Sequence, residues 1–116
     1  MRARDIAVVA GTIAGLALIA LSIWGRAAAE PSGVTVKLFR FTPSALTVMR
    51  GTAVTWTNQD DIRHTVTSGT PDKRDARFNA ELAGKGAAAM VTFAEAGVYP
   101  YFCDRHQSMR GEIHVQ

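Results

Sequence analysis

The chain has 116 residues, one cysteine and a formal net charge of +3. A chain of this length favours one small domain, and a single cysteine excludes an internal disulfide. Arg2, Arg4, Asp5 and Arg26 lie in or beside the first apolar segment, so the other residues carry ten basic and nine acidic side chains. This near balance does not indicate a nucleic-acid-binding protein, for which a basic patch with base-reading residues is expected.

The first 29 residues have the composition of an export segment. Residues 6–24 form a run of 19 residues without a charge, preceded by arginines and followed by Ala27-Ala28-Ala29, the small residues that a signal peptidase requires. As a helix this run would be about 28 Å long, enough to span the core of a bilayer. We therefore predict residues 1–29 as a cleaved signal peptide or a membrane anchor. Residues 30–116 are predicted as a separate domain in the periplasm or another extracytoplasmic compartment.

After residue 30, short β-prone runs alternate with turn residues, which is typical of an all-β sandwich or barrel. The predicted strands are Val34–Phe39, Ala45–Met49, Thr52–Asn58, His64–Ser68, Ala88–Phe93, Val98–Cys103 and Gly111–Val115. The polar segment Gly69–Arg77 is predicted as a loop, and Phe78–Leu82 as either a short strand or a helical turn. Trp56, Met49 and Met90 are predicted to lie in the core.

Cys103, His106 and Met109 recur at intervals of three residues at the end of the predicted strand Val98–Cys103. A thiolate, an imidazole and a thioether suit copper, and two histidines and a cysteine with a distant methionine mark a blue-copper site. His64, 39 residues before the cysteine, supplies the second imidazole. We predict His64, Cys103 and His106 as equatorial ligands and Met109 as the axial ligand of one copper ion that cycles between Cu(I) and Cu(II).

The same residue types also allow other interpretations of the site. Taken singly, a cysteine or a methionine most often packs as an apolar side chain, but their regular spacing with a histidine argues for one shared site. A copper carrier that delivers the ion to an extracytoplasmic enzyme would use the same four ligands. A structural zinc site would take a carboxylate such as Asp104 and leave Met109 without a role. A copper enzyme would need further histidine pairs, so we favour electron transfer without catalysis.

The chain resembles the cupredoxins, and within them the amicyanin and plastocyanin branch, over about residues 33–116. The matching segments are Val54–Asn58, His64–Val66, Phe78–Ala80 and Thr92–Gly111. Two residues separate His106 from Met109, as in amicyanins, whereas plastocyanins usually have four. The resemblance implies a Greek-key sandwich of about eight strands with type 1 copper at one end, the imidazole edge of His106 as the electron port, and redox proteins as partners.

The chain departs from the family pattern around the metal loop. Thr65 follows the first histidine where many members have asparagine, and its hydroxyl is expected to bind backbone near Cys103. Asp104 and Arg105 replace the usual Thr-Pro. Since Arg105 has an N–H that proline lacks, we expect this N–H to donate to the thiolate and to lower the reduction potential.

The surface beside the loop histidine also differs from the family pattern. Arg105 and Gln107 replace apolar residues that are usual there, and Arg63 and Arg110 are close in sequence to the predicted ligands. We therefore expect a polar docking surface that binds an acidic patch on a redox partner. Amicyanins serve an amine dehydrogenase, but the resemblance does not transfer that partner to this chain, which we expect to be monomeric.

Overall fold

The computed structural model describes residues 32–116. The nine strands of this range are β1 (Ser32–Lys37), β2 (Arg40–Thr42), β3 (Ala45–Val48), β4 (Thr52–Asn58), β5 (His64–Thr70), β6 (Lys73–Leu82), β7 (Ala88–Phe93), β8 (Gly97–Phe102) and β9 (Arg110–Val115). They form two sheets, with strand orders β2-β1-β4-β7 and β3-β9-β8-β5-β6. The predicted all-β class is confirmed, with nine strands where about eight were expected.

The N-terminal predictions fall outside this range. The apolar run of residues 6–24, predicted as a signal peptide or anchor, is not among the described residues. Between residues 32 and 116, no helix is long and apolar enough to cross a membrane.

The core lies between the two sheets and is filled by alternate side chains of each strand, since successive residues of a strand point to opposite faces. In β4, Val54 and Trp56 are fully buried while Thr55 and Thr57 are half-buried. The predicted core position of Trp56 is confirmed. Its ring meets Tyr101 of the opposite sheet edge-on, with 5.3 Å between centroids. Burial of the phenol raises the pKa of Tyr101 to about 12.

The predicted loop at Gly69–Arg77 is wrong. Strand β5 continues to Thr70, and β6 pairs with it antiparallel from Lys73 onward. Because β6 is an edge strand with most of its side chains exposed, it needs no alternation of apolar and polar residues. Residues Phe78–Leu82 form the second half of this strand, so the strand alternative for them is the correct one.

Strand β1 ends two residues earlier than predicted. Leu38 and Phe39 form a tight turn to β2, with φ angles of 53° and 60°. Left-handed conformations at both central positions are typical of a two-residue hairpin turn, where glycine and asparagine are preferred. Leu38 and Phe39 therefore hold a conformation that is unfavourable for their residue types.

The predicted core positions of Met49 and Met90 are wrong, because both side chains are 67% exposed. Met90 lies in β7, where Ala89, Val91 and Phe93 are the residues directed towards the core. Its side chain therefore points to the opposite, solvent-facing side of the strand.

Replacing Trp56 with alanine should destabilise the metal-free protein by about 3–5 kcal/mol, because the substitution leaves a large cavity between the sheets. The matched control is Met90→Ala, an exposed position on a neighbouring strand, for which a change within about 0.5 kcal/mol is expected. Urea unfolding measures the stability of both variants. It is followed by far-ultraviolet circular dichroism, because one variant lacks Trp56 and its fluorescence. Equal losses of stability for the two variants would contradict the assignment of Trp56 to the core.

Candidate metal centre

The pairing of β5 with β8 places the predicted ligands together. These strands are antiparallel, with Thr67 opposite Phe102 and Ser68 opposite Tyr101. His64 is the first residue of β5, and Cys103 follows the last residue of β8. Two residues that are 39 positions apart in the chain thus meet at one end of the sheet.

The three predicted nitrogen and sulfur ligands form one cluster. Cys103 Sγ lies 3.8 Å from His64 Nδ1 and 4.0 Å from His106 Nδ1, and the potential ligand atoms of all three residues lie within 4.8 Å of one another. With metal–sulfur and metal–nitrogen bonds of about 2.3 and 2.0 Å, a trigonal ion holds its sulfur and nitrogen ligands about 3.7 Å apart. The cluster therefore fits a metal ion, and a thiolate with two imidazoles suits copper.

Residues 103–109 form a short loop that two backbone hydrogen bonds close. The Cys103 N–H donates to Met109 O at 3.1 Å, and the Met109 N–H donates to His106 O at 2.9 Å. Met109 is 2% exposed and belongs to the same buried cluster as Cys103. His64 and Cys103 are fully buried, whereas His106 is half-buried and reaches the surface.

Thr65 connects the two halves of the site. Its N–H donates to Cys103 Sγ at 3.4 Å, and its hydroxyl accepts a hydrogen bond from the Asp104 N–H at 2.7 Å. The second contact is the one expected from the sequence. The hydrogen bond expected from the Arg105 N–H to the thiolate is absent between residues 32 and 116, where the Thr65 N–H is the backbone donor to this sulfur.

Asp60 is a site residue that the sequence did not reveal. Its Oδ2 lies 2.8 Å from His64 Nε2, and its two carboxylate oxygens accept hydrogen bonds from the N–H groups of Leu38 (2.8 Å) and Phe39 (3.1 Å). Burial alone would raise the pKa of Asp60, but the hydrogen bonds from Leu38, His64 and Phe39 hold this pKa below its ordinary value. Because an ionised carboxylate accepts only, this contact favours the His64 tautomer with its proton on Nε2, which leaves Nδ1 free to face the sulfur.

Phe39 is a second site residue that no feature of the sequence indicated. Its ring centroid is 4.9 Å from that of His106 and 5.5 Å from that of His64, in edge-to-face geometry with both. The two imidazoles lie 5.4 Å apart. Since Phe39 is still 49% exposed, its ring covers the histidines on one side and meets solvent on the other.

The predicted docking residues lie on the surface, but two of them have partners. Arg63 forms an ion pair with Glu81, and Arg110 Nε donates to the Gln107 carbonyl at 2.9 Å. Arg105 is exposed in the metal loop. Arg63, Arg105, Gln107 and Arg110 are all exposed, although Glu81 offsets the charge of Arg63.

Asp104, the carboxylate that a zinc site would recruit, is directed away from the cluster. It pairs with Arg74 at 2.5 Å, and the metal-binding group formed by the described residues does not include it. The geometry therefore gives no support to a zinc site completed by Asp104.

A two-sheet β-sandwich with a buried cysteine and two histidines at one end defines a metal-binding protein of the cupredoxin class. The sequence profile of the copper-binding proteins of the plastocyanin/azurin family matches residues 29–116, and the chain belongs to this family. Copper is accordingly its cofactor, and the cluster of His64, Cys103 and His106 supplies suitable ligands.

Individual relatives agree with this membership. An amicyanin from Paracoccus versutus is 31% identical over 83 residues, which cover 72% of this chain and 63% of the relative, so the chain spans less than two thirds of that protein. A plastocyanin from Scenedesmus fuscus is 36% identical over 98 residues, covering 72% of this chain and 99% of the relative. The structure of a purple cupredoxin from Nitrosopumilus maritimus superposes with a TM-score of 0.67 at 27% identity, covering 73% of this chain and 99% of that one.

Substituting Thr65 with valine should destabilise the metal-free protein by about 1–2 kcal/mol, because the Asp104 N–H then lacks its acceptor. Thr65→Ser keeps the hydroxyl and should lose less stability. Urea unfolding of both variants beside the wild type measures the difference. A Thr65→Val variant as stable as Thr65→Ser would show that the hydroxyl does not hold the metal loop.

Proposed function

We propose that this protein is a blue-copper electron carrier that passes single electrons between extracytoplasmic redox partners. The observation that carries the proposal is a buried thiol 3.8 and 4.0 Å from the Nδ1 atoms of two histidines, in a chain of a copper-binding family. Copper bound there would supply a one-electron couple between Cu(II) and Cu(I).

The proposed equatorial ligands are His64 Nδ1, Cys103 Sγ and His106 Nδ1, with Met109 as the axial ligand. The first three are supported by their mutual distances. Met109 is supported by its burial beside Cys103 and by the two backbone hydrogen bonds that close its loop. A long axial thioether is typical of blue-copper sites.

The surroundings of the cluster suit electron transfer, which needs little rearrangement between oxidation states. His64 is fixed by a strand and by Asp60, Cys103 by the Thr65 N–H, and His106 by the closed loop. His106 is also half-exposed, whereas His64 and Cys103 are fully buried. We infer that electrons enter and leave through the exposed edge of the His106 ring.

The proposed location follows from residues 1–29, which have a charged start, a long apolar run and small residues at its end. An exported domain, either released by cleavage or tethered through residues 6–24, meets redox partners outside the cytoplasm. Intact-mass analysis of the mature protein distinguishes the two, because cleavage removes the first 29 residues.

The proposed docking surface surrounds His106 and comprises the exposed side chains of Arg63, Arg105, Gln107 and Arg110. Its charge favours an acidic patch on the partner, and such complementarity raises the association rate most at low salt. We propose a monomeric carrier without catalytic activity that meets its partners through this surface.

Adding Cu(II) to the purified metal-free protein should give intense blue absorption and a narrow copper hyperfine splitting, since a thiolate–copper bond produces both. Cys103→Ser should abolish the colour, and His114→Ala, which removes a histidine outside the cluster, should retain it. Repeated reduction and reoxidation without loss of copper would support electron transfer. Loss of the ion at each reduction would favour a copper carrier, and a colourless product would argue against the four-ligand site.

Oxidation of the reduced protein by anionic hexacyanoferrate(III) should slow as salt is added, because the basic surface near His106 attracts this reagent. Arg105→Gln should lower the rate about twofold at low salt. The control is Arg50→Gln, which makes the same change of charge. Arg50 lies just before β4, at the end of this strand remote from the loop that leads to His64. A rate that does not depend on salt, or equal effects of the two substitutions, would contradict the proposed docking surface.

A further inference from the structure

The Asp60 carboxylate contacts three groups from two separate parts of the end of the sandwich that carries His64, Cys103 and His106. Its Oδ2 pairs with His64 Nε2 at the start of β5, and its oxygens also accept the N–H groups of Leu38 and Phe39 in the β1–β2 turn. One side chain thus connects a proposed copper ligand with a hairpin turn that precedes it by more than twenty residues.

Asp60 is itself held in place by Asn58, a fully buried residue at the end of β4. The Asp60 N–H donates to Asn58 Oδ1 at 2.9 Å, while Asn58 Nδ2 donates to the carbonyls of Ile62 (2.8 Å) and Leu82 (3.2 Å). The loop between β4 and β5 is therefore fixed from within, and the side chain of Asp60 is only 12% exposed. This arrangement makes the carboxylate a rigid acceptor.

The β1–β2 turn depends on such an acceptor. Leu38 and Phe39 are both left-handed and neither is glycine, and this conformation is unfavourable for a residue with a Cβ. A charged acceptor for both of their N–H groups offsets this cost, because hydrogen bonds to ionised groups are stronger than neutral ones. The turn holds the ring of Phe39 against His64 and His106.

We propose that Asp60 is a positioning residue for the copper centre. Its carboxylate holds His64 as the Nε2–H tautomer, with Nδ1 directed at Cys103, and keeps the Leu38-Phe39 turn closed so that Phe39 covers both imidazoles. The proposal rests on the proposed function in that it concerns the same site. The proposal adds Asp60, four positions before His64, as a residue that orients this ligand and connects it to the turn carrying Phe39.

The negative charge of Asp60 determines the direction in which its removal should change the reduction potential. A fixed anion beside the metal stabilises the more positive Cu(II) state relative to Cu(I). Removing this charge with the isosteric Asp60→Asn should therefore raise the reduction potential. The adjacent Asp61 is exposed and forms no hydrogen bond or ion pair within residues 32–116, so Asp61→Asn is a control with the same change of charge one residue away.

The first measurement uses the metal-free protein, so that it does not depend on copper. Nitrogen-15 NMR of the histidine rings at a pH of about 8, above the usual range of histidine titration, reports the tautomer of each ring. The wild type should show His64 as a single Nε2–H tautomer, and Asp60→Asn should show a mixture of both. The ring-current shifts that Phe39 causes on His106 should decrease in Asp60→Asn and stay unchanged in Asp61→Asn.

The second measurement is the reduction potential of the copper-loaded proteins, which should rise in Asp60→Asn by clearly more than in Asp61→Asn. An Nδ1–H tautomer of His64 in the wild type overturns the proposal even if Asp60→Asn fails to fold. Equal shifts of potential in the two variants also overturn it. If the tautomer and the ring contact are as expected but no blue copper site forms, the proposed function fails and the positioning role of Asp60 stands.

Discussion

The antiparallel pairing of β5 with β8 is the interaction on which the metal centre depends. Its register, with Thr67 opposite Phe102, places Thr65 opposite Asp104 if the ladder is continued by two residues. The strands separate there, and the side chain of Thr65 takes over the pairing by accepting the Asp104 N–H. The Thr65 N–H, which the ladder leaves free, donates to Cys103 Sγ. The thiol is thus held at the point where regular backbone pairing ends, by a strand that already carries the first histidine.

The proposed ligands on the loop and the proposed ligand on β5 are fixed by different means. His106 and Met109 belong to a short loop that two backbone hydrogen bonds close. Just after this loop, Gly111 packs so closely on the Tyr101 ring that a Cβ there would lie 2.5 Å from it. His64 belongs to a strand but has its outer nitrogen held by a carboxylate from a neighbouring loop. A cluster supported from both sides changes little when its charge changes, which is the property that a one-electron carrier requires.

The sequence predicted the metal loop and the supporting hydroxyl of Thr65, but not the roles of Asp60 and Phe39, for a physical reason. Copper binding restricts which residue types can occupy the ligand positions, and these positions recur at a fixed spacing. Cys103, His106 and Met109 can therefore be identified without a structure. Asp60 is one of two adjacent acidic residues, and only the fold shows that its carboxylate faces a histidine and a turn. The first half of edge strand β6, residues 73–77, was predicted as part of a loop because a strand with one neighbour and solvent on most sides shows no apolar alternation. Met90 was assigned to the core from its strand-like surroundings, although the face of the strand decides its exposure.

The copper end combines a closed and an open side. On the closed side, Asp60 and the left-handed turn hold Phe39 over both imidazoles and restrict access of water to them. On the open side, the loop presents Arg105 and Gln107 beside the half-exposed His106. The charges have opposite signs on the two sides: the Asp60 anion, 12% exposed, lies next to His64, and the arginines lie at the surface. Because a shielded charge is screened less than a surface charge, we propose that Asp60 acts on the redox equilibrium of the site while the arginines act on the encounter with a partner.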